Sequence, residues 1–273
     1  MPFLRLFAVA TVAAATIVSA GVSNAATLEA QYLFGNTLTS SVGGAPALTA
    51  VDPLGTSGFV SDTVYGSSRT VYHFDGVNSP TGNQGGLVFN NAGGLLASNA
   101  YSIGLVMKFD SRDSAWRRLI DVQNRQSDSG FYVNPSNDLE IYPVYGAGGS
   151  FSTGAYHNVV LTVDSSDNVD AYLDGVLAFT VNTPIMDISN PDNPGSLVNL
   201  FLDNVVGGGQ GEWSPGSIAV ANFWNGPLTS SEVHSFVNDP FAGPGPVGVP
   251  EPAALSLLGS AIVGFGLLRR RKA

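Results

Sequence analysis

The 273-residue sequence contains no cysteine. That excludes disulfides, thiolate zinc sites, iron–sulfur clusters and a cysteine nucleophile, and leaves packing and hydrogen bonding to hold the fold. Charge is scarce too: Asp, Glu, Lys and Arg make up 12% of residues, about half the usual share. Bases are the scarcer sign. Of eleven, five sit at the ends (Arg5, Arg269, Arg270, Arg271 and Lys272), whereas only Glu251 of the twenty-one acids does. The stretch between carries six bases against twenty acids, a net charge of −14. Such a surface repels phosphate backbones, which argues against nucleic acid and suits cations or neutral sugars.

Catalytic motifs are missing as well. There is no Gly-x-Ser-x-Gly elbow, His-Glu-x-x-His pair, phosphate loop or EF-hand loop. The body has four glutamates, Glu29, Glu140, Glu212 and Glu232, and none is spaced as a glycosidase strand needs. The Asp110/Asp113 and Asp167/Asp170 pairs read as turn residues. His73 and His157 lie in strand patterns and read as packed histidines; His234 reads as solvent-facing. No catalytic residue is assigned and an enzyme is not expected. A secreted polysaccharide hydrolase stays as the contrasting class.

Hydrophobic residues reach 44%, with 33 Gly and 16 Pro. Between Ala26 and Phe241 short apolar runs alternate with Gly, Asn, Asp and Ser clusters, the pattern of an all-β sandwich. The clearest unit is Tyr156 to Val181. Val159, Leu161 and Val163 alternate along one strand, Ser165-Ser166-Asp167-Asn168 turns, and Asp174-Gly175 marks a type I′ hairpin before the returning strand. This predicts a three-stranded meander with one wet face. Further strands are expected at Tyr32–Phe34, Thr70–Phe74, Gly86–Phe89, Tyr101–Phe109, Arg118–Gln123, Gly130–Val133, Leu139–Tyr142, Leu197–Leu202 and Ser217–Trp224. One helix is expected at Thr229–Val237, opened by a Thr229/Glu232 capping box. Arg117 and Arg118 should point to opposite faces of their strand.

The ends differ from this body. Residues 1–25 read as a secretory signal: Arg5, an apolar run from Leu6 to Val18, then Ser23-Asn24-Ala25, with cleavage before Ala26. The alternative is an uncleaved anchor. At the far end, Val249-Pro250-Glu251-Pro252 precedes sixteen uncharged residues, 253–268, and then Arg269-Arg270-Arg271-Lys272. Sixteen helical residues reach about 24 Å against a hydrocarbon core of about 30 Å. They can span if the arginine stems snorkel. The basic cluster should stay cytoplasmic, leaving the body outside. Residues 242–249 form a Gly/Pro linker.

These three terminal parts, in this order, resemble the PEP-CTERM sorting signal of Gram-negative bacteria. The resemblance implies recognition of Pro250, Glu251 and Pro252, with Arg269, Arg270 and Arg271, by an exosortase-type membrane processing enzyme. It also implies an association with exopolysaccharide and biofilm. An ordinary single-pass anchor is the alternative.

The body resembles a laminin-G-like, concanavalin A-like jelly roll. The resemblance rests on Tyr72-His73-Phe74-Asp75-Gly76, Tyr101 to Phe109, Tyr156-His157-Asn158-Val159 through Asp174-Gly175, and Trp224 through Leu228-Thr229-Ser230-Ser231-Glu232-Val233. It departs at Tyr156, where Trp is usual, and at Ala219-Val220-Ala221, where acids are usual. The expected architecture is thus a signal peptide (1–25), an all-β jelly-roll β-sandwich (26–241), a linker (242–249) and a sorting signal (250–273) with a transmembrane helix at 253–268.

Two binding chemistries stay open. Sugars stack on aromatic rings. Trp213, in the glycine-rich stretch 207–216, and Tyr142 and Tyr145, beside Pro143, are the candidates; for Trp213 a packed lid over the sandwich edge is the alternative. The laminin-G-like resemblance also implies a rim calcium. Asp203 and Asn204, with Asp187 and Asp192, are candidate oxygen ligands, and ordinary turn formation is the alternative. Together these features describe an exported protein, tethered at the inner membrane facing the periplasm and then moved to the cell surface. There it would bind exopolysaccharide or another glycan, or serve as a ligand-free matrix component.

Overall fold

The structure, a computed structural model, describes residues 25–144 and 148–243. The signal segment, the sorting tail with the helix expected at 253–268, and Tyr145 lie outside the described residues. The elements run, in chain order, β1 (Thr27–Tyr32), β2 (Thr49–Val51), β3 (Gly58–Val64), β4 (Ser67–Phe74), β5 (Gly86–Asn90), β6 (Tyr101–Phe109), β7 (Arg117–Asp121), β8 (Gly130–Val133), β9 (Leu139–Tyr142), β10 (His157–Val163), β11 (Asn168–Leu173), β12 (Val176–Asn182), β13 (Leu197–Leu200), β14 (Gly216–Asn225) and α1 (Ser230–Asn238).

They build a two-sheet antiparallel sandwich. The eight-stranded sheet runs β12-β11-β10-β6-β14-β4-β3, with β1 sharing the edge of β14 that β4 leaves open. The six-stranded sheet runs β2-β5-β13-β7-β8-β9. Period-two alternation sends one side chain in two between the sheets. Aromatic pairs close the gap: Phe74 stacks on Phe201 at 4.1 Å, and Phe89 on Phe223 at 4.3 Å. Trp213 joins this central core at 2% exposure.

The Asp174-Gly175 hairpin forms as expected, with φ of +51° and +84°. The expected wet face is kept at the edge strand β12, where Val176, Leu177, Thr180 and Asn182 are exposed, but is covered at β10. Every residue of β10 is buried. The cause is α1, which lies across the outer face of the eight-stranded sheet. Its Val233 and Phe236 cover Val106, Val160, Val220 and Trp224. Gly104 of β6 makes this possible, because a Cβ there would stand 2.9 Å from the Phe236 ring. Thr229 caps the helix, and Glu232 returns the hydrogen bond to the Thr229 N–H at 2.7 Å. Strands β2 and β3 were not expected from the sequence. β3 is an edge strand, and edge positions face water, so apolar alternation is not required of them.

Candidate functional site

β7 begins with two arginines, and the pleat sends them to opposite faces, as expected. Arg117 turns inward. Its guanidinium carbon lies 5.6 Å from the Phe109 ring centroid and 5.7 Å from that of Phe151. It donates to Asn137 Oδ1, while Asp113 stands 3.9 Å away. Its Nε and Nη1 have no hydrogen-bond partner. Burial pulls its pKa down to about 10, and Asp113 only partly opposes this.

Arg118 turns outward but is equally buried, because loops close over it. Its Nε donates to the Tyr132 hydroxyl at 2.6 Å, and its Nη1 to Asp121 Oδ2 at 2.8 Å. Nη1 and Nη2 also donate to Ser127 O, at 3.1 and 3.0 Å. Asp203 Oδ1 lies 3.7 Å from Nε, and Asp203 Oδ2 accepts the N–H groups of Gly211 and Glu212 at 2.7 and 2.8 Å. Burial works against the Arg118 charge, yet Tyr132, Asp121 and Asp203 together outweigh it and raise its pKa. Arg125 joins from the side, donating its peptide N–H to Asp121 Oδ1 at 2.8 Å and its Nε to Asp203 O at 2.6 Å.

Two cations thus meet two buried carboxylates. Asp128 and Glu212 are in excess of that balance. Burial first, then the charges of Asp128 and Asp203, push Glu212 up to about 8. Burial also raises Asp128, and the Arg118 charge only partly opposes this. Asp128 Oδ1 is buried without a hydrogen-bond partner, and a like charge nearby favours the protonated form of a buried carboxyl.

Above this node lies an aromatic shelf on the outer face of the six-stranded sheet. Trp116 and Tyr142, both half-buried, meet edge to face at 5.4 Å. Both lean on the buried Tyr132 ring, at 5.6 and 6.4 Å. Glu140, opposite Tyr132 in the register, sits half-buried at the rim and accepts from Asn134 Nδ2 at 2.8 Å. Half-buried aromatic rings beside a carboxylate can stack against a sugar's C–H face and accept hydrogen bonds from its hydroxyls.

The expected site residues divide. Tyr142 is on the shelf. Trp213 is not a sugar platform: its ring is in the core and its Nε1–H donates to Gly85 O at 2.9 Å. Asp203 and Asn204 are fully buried, with the first committed to Arg118 and two peptide N–H groups. Asp203 Oδ1 faces Arg118 Nε at 3.7 Å and accepts no hydrogen bond. Asn204 Nδ2 donates to Val206 O and Gly208 O, and the structure offers no partner for its Oδ1. Asp187 caps its own turn through Ser189, and Asp192 is an exposed turn residue. Among the described residues no three acidic or histidine side chains converge to hold a metal.

Trp116, Asp128 and Glu212 were not singled out from the sequence. A Trp-Arg-Arg run inside an apolar strand, in a body with six bases, was the available signal.

One other cluster has an ordered geometry. His157 Nδ1 lies 2.8 Å from Asp174 Oδ2, and Ser152 Oγ lies 3.0 Å from His157 Nε2. The Ser152 N–H also points at Nε2, at 3.2 Å, so the whole serine wraps the ring. Asp174 Oδ1 in turn accepts the Asn158 N–H at 2.8 Å. This arrangement ties the 148–154 loop to β10.

Residues 81–234 match the concanavalin A-like lectin/glucanases superfamily, in its laminin-G-like form, and residues 248–272 match the PEP-CTERM protein-sorting motif. No curated protein sequence matches the chain. Among solved structures it is similar to domain 4 of AbnA, a GH43 extracellular arabinanase from Geobacillus stearothermophilus, in complex with arabinotriose. That likeness has 19% identity and a TM-score of 0.57, over 78% of this chain and all of the other. It is also similar to botulinum neurotoxin type C, whose structure concerns interaction with two ganglioside molecules (12% identity, TM-score 0.52, 78% of this chain and 51% of that one). The binding domain of botulinum neurotoxin DC in complex with SialylT gives the same figures. The chain thus spans about half of these neurotoxin chains, and at such identities the likeness carries the fold alone.

Proposed function

Because the chain belongs to the concanavalin A-like lectin/glucanases superfamily and ends in a PEP-CTERM motif, we propose that it is an exported surface protein whose sandwich binds an extracellular polysaccharide. Export and exosortase sorting follow from the motif. The finer reading has the body tethered on the periplasmic side of the inner membrane and then passed to the surface. There it binds glycan without turnover.

The observation that carries the binding reading is the Trp116–Tyr142 shelf over a fully satisfied guanidinium. A platform held from beneath by a buried ion network keeps its geometry without ligand, which lowers the ordering cost of binding. The arabinotriose-bound neighbour supports carbohydrate as the ligand class.

The test is a glycan array probed with the mature chain, including arabino-oligosaccharides, with and without a chelator. A signal insensitive to chelation is expected. An empty array would leave a ligand-free matrix role. A specific observation favours a hydrolase as second reading: Glu212, held near 8 beside Asp128, has the protonation of a general acid. Polysaccharide turnover lost in Glu212→Gln would establish that reading instead.

A further inference from the structure

The last described residues of the chain are fastened to the sandwich. Phe241 packs beside Leu33, and the Arg69 guanidinium carbon stands 3.4 Å from its ring centroid. One residue later, Ala242 O accepts from Gln31 Nε2 at 2.6 Å. Gln31 is fully buried, and its Oε1 accepts the Ser41 hydroxyl at 2.8 Å, so the amide is held in one orientation. Ala242 N in turn donates to Asp239 O at 3.1 Å. A buried amide aimed at the Ala242 carbonyl, backed by a cation–π contact, fixes one point of departure for the residues that follow.

From that point to the sorting motif there are seven residues, 243–249. Fully extended they reach about 24 Å. A processing enzyme must therefore work at the motif with the folded sandwich no farther away than that.

We propose that Gln31, Arg69 and Phe241 form a latch that sets the origin of this leash, and that the face around them is the side of the body presented to the membrane and its processing enzyme. The inference rests on the sorting reading of the tail. The latch is a positioning device, since none of its residues belongs to the sorting motif. If it opens, Asp239 to Ala242 add four residues of slack.

The test combines shortening with release, in cells that process the wild-type chain, with intact mass as the readout. Deleting residues 244–247 leaves a three-residue leash of about 10 Å, and processing is expected to fall by about tenfold or more, because such a tether cannot span. Adding Arg69→Ala and Phe241→Ala to the deletion should restore processing to about twofold of wild type, since released chain replaces deleted chain. The same pair in the full-length leash should change nothing. A deletion processed normally, or a deletion not rescued by release, overturns the proposal.

Failure of the sorting reading looks different: Glu251→Ala would then leave mass and location unchanged. In that event chymotrypsin tests the latch directly on the purified full chain. Cleavage after Phe241 should be slow, and about fourfold faster in Arg69→Ala, the ratio for ~0.8 kcal/mol of cation–π contact. Equal rates in the two proteins would mean that no latch exists.

Discussion

The two outer faces of the sandwich are covered by opposite means. On the eight-stranded sheet, α1 lays Val233 and Phe236 on an apolar patch of Val106, Val160, Val220 and Trp224. On the six-stranded sheet, loops cover a charged node of Arg118, Asp121 and Asp203, and the exposed layer is aromatic. Apolar cover stabilises by area and has no directional requirement. Charged cover stabilises little beyond what desolvation costs, and only with every partner in place. What it supplies is fixed geometry. The difference teaches that the helical face serves stability, while the arginine face trades stability for a rigid platform.

The largest effect should come from breaking the charged face. Arg118→Ala leaves Asp121 and Asp203 buried without their cation, at a cost of about 3–5 kcal/mol. Thermal melts should show a drop of roughly 10 °C or more. Phe236→Ala breaks the apolar face instead, at about 3 kcal/mol by denaturant titration, with glycan binding unchanged at temperatures where the variant is folded. Thr229→Ala removes the helix cap and should cost about 1 kcal/mol, again without effect on binding.

A pH series sharpens the electrostatic side. Glu212 keeps its proton up to about 8 in the fold, against an ordinary value of 4.5. Between those values the unfolded chain has released a proton that the folded chain retains. Stability should therefore fall as pH rises from 4.5 towards 8, and level off above. Glu212→Gln should flatten that slope in melts taken across the range. Asp62, Asp164 and Asp174 have lowered pKa values and act below this window.

Much of the fold was legible because local chemistry demands particular residues. Asp174-Gly175 suits positive φ, Thr229/Glu232 suits a capping box, and Tyr101 to Phe109 is a long apolar strand whose bounds match β6. The terminal motif was legible for the same reason, since its three parts are contiguous. Edge strand β3 was not, because it faces water and carries no apolar alternation to read. Trp213 could not be decided between platform and packed lid, because its glycine-rich surroundings suggest an open loop. In the fold its indole fills the core and finds a carbonyl. The arginine node was hidden by distance: Arg118 meets Asp203 and Glu212 only through pairing of β7 with β13 and closure of the following loop. No local pattern records such a meeting.

The direct test of the platform is titration of the mature chain with purified exopolysaccharide from the producing cells, beside a Trp116→Ala/Tyr142→Ala variant and Phe236→Ala. The shelf variant should lose binding while melting within about 1–2 kcal/mol of wild type, since both rings are only half-buried. Phe236→Ala should do the reverse. Full binding by the shelf variant would contradict the assignment of the six-stranded face as the ligand surface.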